Sequence, residues 1–151
     1  MSSDPSALNP NALGGWGPTD IQGQLHKAVV DISSAQILAL NTTPVELVPA
    51  VPGMVIEPVL YRVQFFQGTQ NYGNGGAVSV KWGTNVSNDS LLNGLLTLGV
   101  NTYQSVRAAS FSFIPSAGYP GKALNLGTGP QFTGGDGTLR IVTFYRLISV
   151  Q

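Results

Sequence analysis

Cysteine is absent from the 151-residue chain, which excludes disulfides, thiolate-held zinc or iron–sulfur centres and thiol nucleophiles. Histidine occurs once, at His26, so no cluster of imidazole ligands can form and a Ser/His/acid triad would depend on that residue alone. Charge is scarce as well: 9% of residues are charged, against about a quarter in an average soluble domain. Seven Lys plus Arg balance seven Asp plus Glu, which leaves no net field to draw in phosphate backbones or anionic lipid. Neither nucleic acid nor a membrane surface is therefore expected as a partner. No apolar run approaches the roughly 18 residues of a spanning helix, and no basic segment precedes an apolar one at the N-terminus. A soluble, unexported chain is the expectation. No repeat of fixed period is present.

The missing charge is replaced by turn formers, with 19 Gly and 10 Pro beside many Asn, Ser and Thr. At this length one domain with one core is expected. A charge-poor surface offers little self-repulsion, so much of it is expected to be covered by neighbouring subunits; the alternative is a solvated β-surface rich in Gly, Asn and Thr.

Residues 1–24 contain Pro5, Pro10, Pro18 and the pair Gly14-Gly15 and follow no apolar period, so they read as an extended arm preceding a β-domain of residues 25–151. Leu13, Trp16 and Ile21 are the anchors by which such an arm would lie on another surface. From Lys27 onward, runs bounded by Gly, Pro and Asn predict strands. The clearest are residues 27–32, 45–50, 54–66, 77–83 and 103–114, with a short one near 123–126 and a last one over 138–150. Ser33 or Ser34 can cap a single helical turn through Leu40. Pro58 should bend the long strand 54–66, with Val59, Tyr61, Val63 and Phe65 on one face and Leu60, Arg62, Gln64 and Phe66 on the other. That strand and 77–83 read as a hairpin with a long loop, and residues 88–100 as a short helix or wide turn. The last strand, apolar on both faces, belongs in the middle of a sheet. These features predict an all-β fold, an antiparallel β-sandwich or barrel of jelly-roll type with an extended N-terminal arm.

Little of the remaining inventory suggests chemistry. His26 beside Lys27 reads as a solvated or interface residue. Glu46 and Glu57 lack the aromatic platform and acid cluster of a glycosidase. The aspartates are dispersed, with no alternating calcium loop. GGDG at 134–137 reads as a tight turn, and YGNGG at 72–76 lacks the lysine and helix of a phosphate loop. Three Asn-x-Ser/Thr sites, at Asn41, Asn85 and Asn88, carry little weight without an export signal. No catalytic residue, metal ligand or cofactor is predicted. Trp82, Tyr72, Tyr103 and Tyr119 could line a carbohydrate face; Trp82 shares a strand face with Val78 and Val80 and is expected in the core, whereas Tyr72 and Tyr119 lie in loops and are the better candidates for contact.

The segment SAQILALNTTPVELVPAVPGMVIEPVLYRVQF, residues 34–65, and the ending GDGTLRIVTFYRLISV, residues 135–150, resemble small virion structural proteins of tailed bacteriophages. In that type a segment of the form I-L-A-L-N-x-T-P-V-x-L-V-x-A-P-G precedes a long apolar strand, and the chain closes on T-L-x-V-x-x-Y-R. The match covers about a third of the chain, and Val51 interrupts the Ala-Pro-Gly turn. The resemblance implies a non-enzymatic capsid decoration or cement subunit at the capsid surface, with the major capsid protein and further copies of itself, as a homotrimer, for partners. A carbohydrate- or receptor-binding domain of a tail or fibre is the alternative.

Overall fold

The computed structural model describes residues 24–74, 78–83, 85–91, 95–108 and 119–149, and the proposed arm anchors Leu13, Trp16 and Ile21 lie outside them. In chain order the elements are β1 (His26–Ile32), α1 (Ser34–Leu38), β2 (Val45–Val48), β3 (Met54–Phe66), β4 (Gly73–Asn74), β5 (Val78–Trp82), β6 (Asn85–Leu91), a single 3-10 turn (Leu95–Thr97), β7 (Thr102–Arg107), β8 (Leu124–Thr128), β9 (Phe132–Thr133) and β10 (Thr138–Ser149). One sheet has the order β1-β10-β3-β7, a second β2-β8-β5-β6, and β4 pairs with β9. All pairings are antiparallel. Apart from the two-residue strands, first pairs with last (β1, β10), then β2 with β8, β3 with β7 and β5 with β6. That nesting is a long double ribbon rolled into two facing sheets, the jelly-roll form of the β-sandwich.

The core lies between the sheets. Period-2 patterning drives it: Leu139, Ile141, Thr143 and Leu147 of β10 are buried in alternation, as are Val78, Val80 and Trp82 of β5. Trp82 also joins the two layers, since its Nε1–H donates to the Ile56 carbonyl of β3 at 2.7 Å. In β3 the buried positions are Val55, Ile56 and Pro58 before the middle and Tyr61, Val63 and Phe65 after it; the core-facing row runs Ile56, Pro58, then Tyr61, Val63 and Phe65, so its parity changes once. The register explains this. Phe144 of β10 faces Leu60 while Tyr145 faces Pro58, leaving Val59 as an extra residue in a bulge. The proline has no N–H to give to a ladder, so the irregularity costs little there. The Val59 carbonyl is taken up by the Ala108 N–H at 3.1 Å. Val59 is accordingly half-buried and not a member of the inward row expected for it.

Helix α1 has a favourable start and runs at its end into a tight turn, where the Thr42 and Thr43 N–H groups donate to the Ala39 carbonyl at 3.0 and 2.7 Å. Ser33 accepts from the Gln36 N–H while Gln36 Oε1 accepts from the Ser33 N–H, a reciprocal cap, and Ile37 is driven into the core.

Two further expectations fail. β3 and β5 are not a hairpin: they lie in opposite sheets, and β3 pairs with β10 and β7. Alternation identifies a strand but not its partner, and the residues between them cross from one layer to the other. Residues 88–91 form the end of β6 and not a helix, Leu95–Thr97 form a single 3-10 turn, and residues 92–94 lie outside the described residues. Leu91 is fully buried as the last residue of that strand.

The buried Thr143 hydroxyl has no hydrogen-bond partner among the described residues. Replacing it by the near-isosteric valine removes an unpaired polar group, so Thr143→Val should raise the unfolding free energy by about 1 kcal/mol in a denaturant titration.

Candidate functional site

The two tyrosines expected as loop contacts are placed otherwise. Tyr72 is only 2% exposed. Its ring sits in an aromatic cluster with Phe65 and Phe132, with centroids 6.3 and 6.0 Å away, and its hydroxyl donates to the Gly137 carbonyl at 2.7 Å. The glycines of GGDG create the room: a Cβ on Gly135, whose φ is +88°, would fall within the Tyr72 ring. Asp136 then fastens the neighbouring loop, accepting from Thr69 Oγ1 at 2.6 Å and the Gln70 N–H at 2.8 Å. Those bonds hold its carboxyl below the usual carboxylate range. Tyr119 is half-buried and stands edge-on to Trp82, with centroids 5.1 Å apart. The loop aromatics thus belong to the core and its margin, because glycine-rich loops can fold closely over a ring.

The other chemistry candidates stay apart. His26 stacks on Tyr145 at 5.3 Å. Glu46 and Glu57 belong to β2 and β3, in different sheets. Among the described residues, no three His, Asp or Glu side chains gather into a metal site, and no helix is long and apolar enough to cross a membrane. The hollow between α1, β1 and β2, about 470 Å³, has Glu46 as its one ionisable wall residue. Nothing there pairs an acid with a base or a nucleophile.

The outward face of the first sheet is different. Its registers set three rows across β1, β10, β3 and β7: Lys27, Phe144, Leu60 and Arg107; Val29, Val142, Arg62 and Ser105; Asp31, Arg140, Gln64 and Tyr103. Farther along, Arg146 stands opposite Glu57. Five of the seven Lys and Arg residues of the chain, namely Lys27, Arg62, Arg107, Arg140 and Arg146, are therefore on this one face. Arg140 makes a forked pair with Asp31, at 2.7 and 3.1 Å, whose hydrogen bonds and charge keep the Asp31 carboxyl low. Arg62 lies over the Phe144 ring, 5.3 Å from its centroid. Lys27, Arg62 and Arg107 have no acidic partner among the described residues. Apolar surface runs between them, with Val29 51% exposed and Leu60, Val142 and Phe144 half-buried.

The third row ends in a separate feature. Phe66 and Tyr103, 46% and 57% exposed, border a hollow with Gln64, Asn101 and Thr102. Phe66 was not expected as a contact, and Tyr103 was named only among the aromatics that could line a carbohydrate face, behind Tyr72 and Tyr119. The signal was present in the alternation, which places Phe66 on the face opposite buried Phe65 and Tyr103 beside exposed positions.

No family model matches the chain, and no curated protein or solved structure matches it.

Burial, with help from the Asp136 charge, pushes the Tyr72 phenol from its ordinary 10.0 up to about 12. A raised folded value means the contribution is complete below the unfolded pKa of about 10 and is lost as the pH climbs to about 12. Stability measured across that alkaline window should fall less steeply in Tyr72→Phe than in the wild type. For Asp136 the sign is opposite: its contribution is present above the unfolded carboxylate value and disappears as acid protonates the folded group. The protection of the Gln70 amide hydrogen, its exchange rate relative to that of an unstructured amide at the same pH, should fall in acid in the wild type, and Asp136→Ala should abolish that fall.

Proposed function

We propose that this protein is a non-enzymatic virion structural subunit, a capsid decoration or cement protein that lies on the capsid surface and stabilises the lattice. The observation that carries the reading is the outward face of the first sheet, a broad surface holding most of the chain's bases around exposed apolar side chains. A flat face of this composition suits a protein partner, because apolar contact provides affinity while unpaired bases select an acidic counterpart and speed encounter. The partner in this reading is the major capsid protein. The jelly roll adds a rigid body, although a fold alone does not define a function, and the resemblance of residues 34–65 and 135–150 to phage virion proteins supplies the virion setting.

Self-association belongs to the same reading, with a homotrimer as the proposed state. Among the described residues the sheets end at β1, β7, β2 and β6, and such edges invite pairing. Residues 1–24 include Asp4 and Asp20 and no base, so an arm from one subunit suits the basic face of the next. Its ordering on binding would cost entropy while extending the contact over several subunits. A receptor-binding role at a tail or fibre is the alternative, and buried Tyr72 and half-buried Tyr119 offer it little.

Particles lacking the protein should rupture at a lower temperature than complete particles, since a ligand that binds only the assembled lattice stabilises that state by mass action. Added back, wild-type protein should restore the higher rupture temperature. The exposed triple change Lys27→Ser, Arg62→Ser and Arg107→Ser should bind such particles roughly tenfold more weakly, with a shallower salt dependence. Equal rupture temperatures with and without the protein would contradict the proposal.

A further inference from the structure

The aromatic end of the outward face carries a second inference, which does not depend on where the protein sits in a particle. We propose that the cleft around Phe66 is a binding site for a neutral saccharide. Two hollows meet at the Phe66 ring. One, about 230 Å³, runs toward β7 past Gln64 and Asn101 to Tyr103. The other, about 380 Å³, runs toward β1 past Arg140 and Asp31 to Ser33 and Gln36 at the start of α1. Together they cross all four strands, a span of about 14 Å at ordinary strand spacing, which suits a di- or trisaccharide.

A pyranose ring has an apolar C–H face and an edge of hydroxyls, each able to donate and accept. The cleft offers the counterpart of both. Phe66 and Tyr103 present ring surface to solvent, and an aromatic ring is a large, stiff contact that loses little freedom when covered. Around them are planar groups with bonding capacity to spare. The Asn101 carbonyl oxygen accepts from the Gln67 N–H at 2.8 Å, which leaves the amide nitrogen to donate elsewhere. Gln36 likewise uses its oxygen on Ser33, leaving its nitrogen. Arg140 gives Nε and one Nη to Asp31 and retains further N–H groups, while Asp31 retains lone pairs.

Two features select a neutral sugar. Asp31 and Arg140 neutralise each other within the cleft, whereas the unpaired bases Lys27, Arg62 and Arg107 lie in the other two rows. The fork between Arg140 and Asp31 and the Gln67 bond to Asn101 also fix these groups before any ligand arrives, which lowers the ordering cost of binding. A few oriented polar groups beside apolar surface is the usual construction of a small-molecule site.

The test is an array of neutral hexose and N-acetylhexosamine oligomers, with sialylated and phosphorylated glycans alongside, probed with the full chain. The wild type should bind a subset of the neutral glycans. Tyr103→Ala should weaken that binding at least tenfold with an unchanged thermal transition, because the side chain is exposed and its loss leaves no cavity. Arg140→Met, which keeps the stem and removes the donors, should also weaken it. The Lys27→Ser, Arg62→Ser and Arg107→Ser variant should bind the same glycans as the wild type, which keeps this inference separable from attachment to a particle. Failure of the wild type to bind any neutral glycan would overturn it. So would binding restricted to acidic glycans and lost in the triple variant, or a Tyr103→Ala protein that binds as well as the wild type. A wild-type oligomer that Tyr103→Ala converts to monomer would instead assign the cleft to a second copy of the chain.

Discussion

Strand β10 is bonded on one side to β1 and on the other to β3, and the rest of the molecule depends on that double pairing. It closes the fold by joining the first strand to the last. It also sets which side chains face the second sheet. Because side chains alternate, a slip of one residue against either neighbour would send Leu139, Ile141 and Leu147 to the outside and bring Arg140, Phe144 and Arg146 in. The bulge at Val59 protects the arrangement. Without it, the part of β3 before Pro58 would be out of step with the part after it, and Ile56 and Tyr61 could not both face the core. The rows of the outward face are the other consequence of the same register.

Much of this was legible where a local pattern has only one physical outcome. A strand apolar on both faces has to be covered on both, and β10 is central. A proline inside a long apolar strand has to interrupt a ladder, and the bulge lies beside Pro58. Trp82 follows Val78 and Val80 in alternation and is buried with them, and Ser33 caps α1 through Gln36. Pairing was less legible, since alternation says nothing about which strand lies alongside; β3 and β5 are neighbours in sequence yet belong to different layers. The leucines at 91, 92, 95 and 96 fit a helical stripe or a strand followed by a turn, and tertiary burial of Leu91 favoured the strand. Tyr72 was misread because a glycine-rich segment suggests exposure. Its ring is covered by a turn that begins more than sixty residues later, a contact no local pattern can reveal. Phe66 and Tyr103 were marked by alternation as outward, but strand aromatics are so often core residues that their exposure emerged only from the register.

The two surfaces divide the polar chemistry of the chain between them. Away from the first sheet, side-chain hydrogen bonds mostly tie loops and sheets together, as Asp136 does for Thr69 and Gln70 and Trp82 does for Ile56. On the outward face, Lys27, Arg62 and Arg107 have no acidic partner among the described residues, and exposed rings adjoin amides with donors to spare. Such a division suits a protein whose work is to adhere. In this account the basic rows hold the protein to its lattice while the aromatic cleft at the end of the sheet is left for a smaller ligand.

The central claim is that the basic rows of the outward face, those of Lys27, Arg62 and Arg107, rest on an assembled capsid. Cryo-electron microscopy of particles with and without the protein tests it most directly. The account predicts difference density of jelly-roll size over the capsid lattice, with Lys27, Arg62 and Arg107 directed at the shell. Difference density confined to the tail, or a lattice-bound domain with this face turned to solvent, would contradict it.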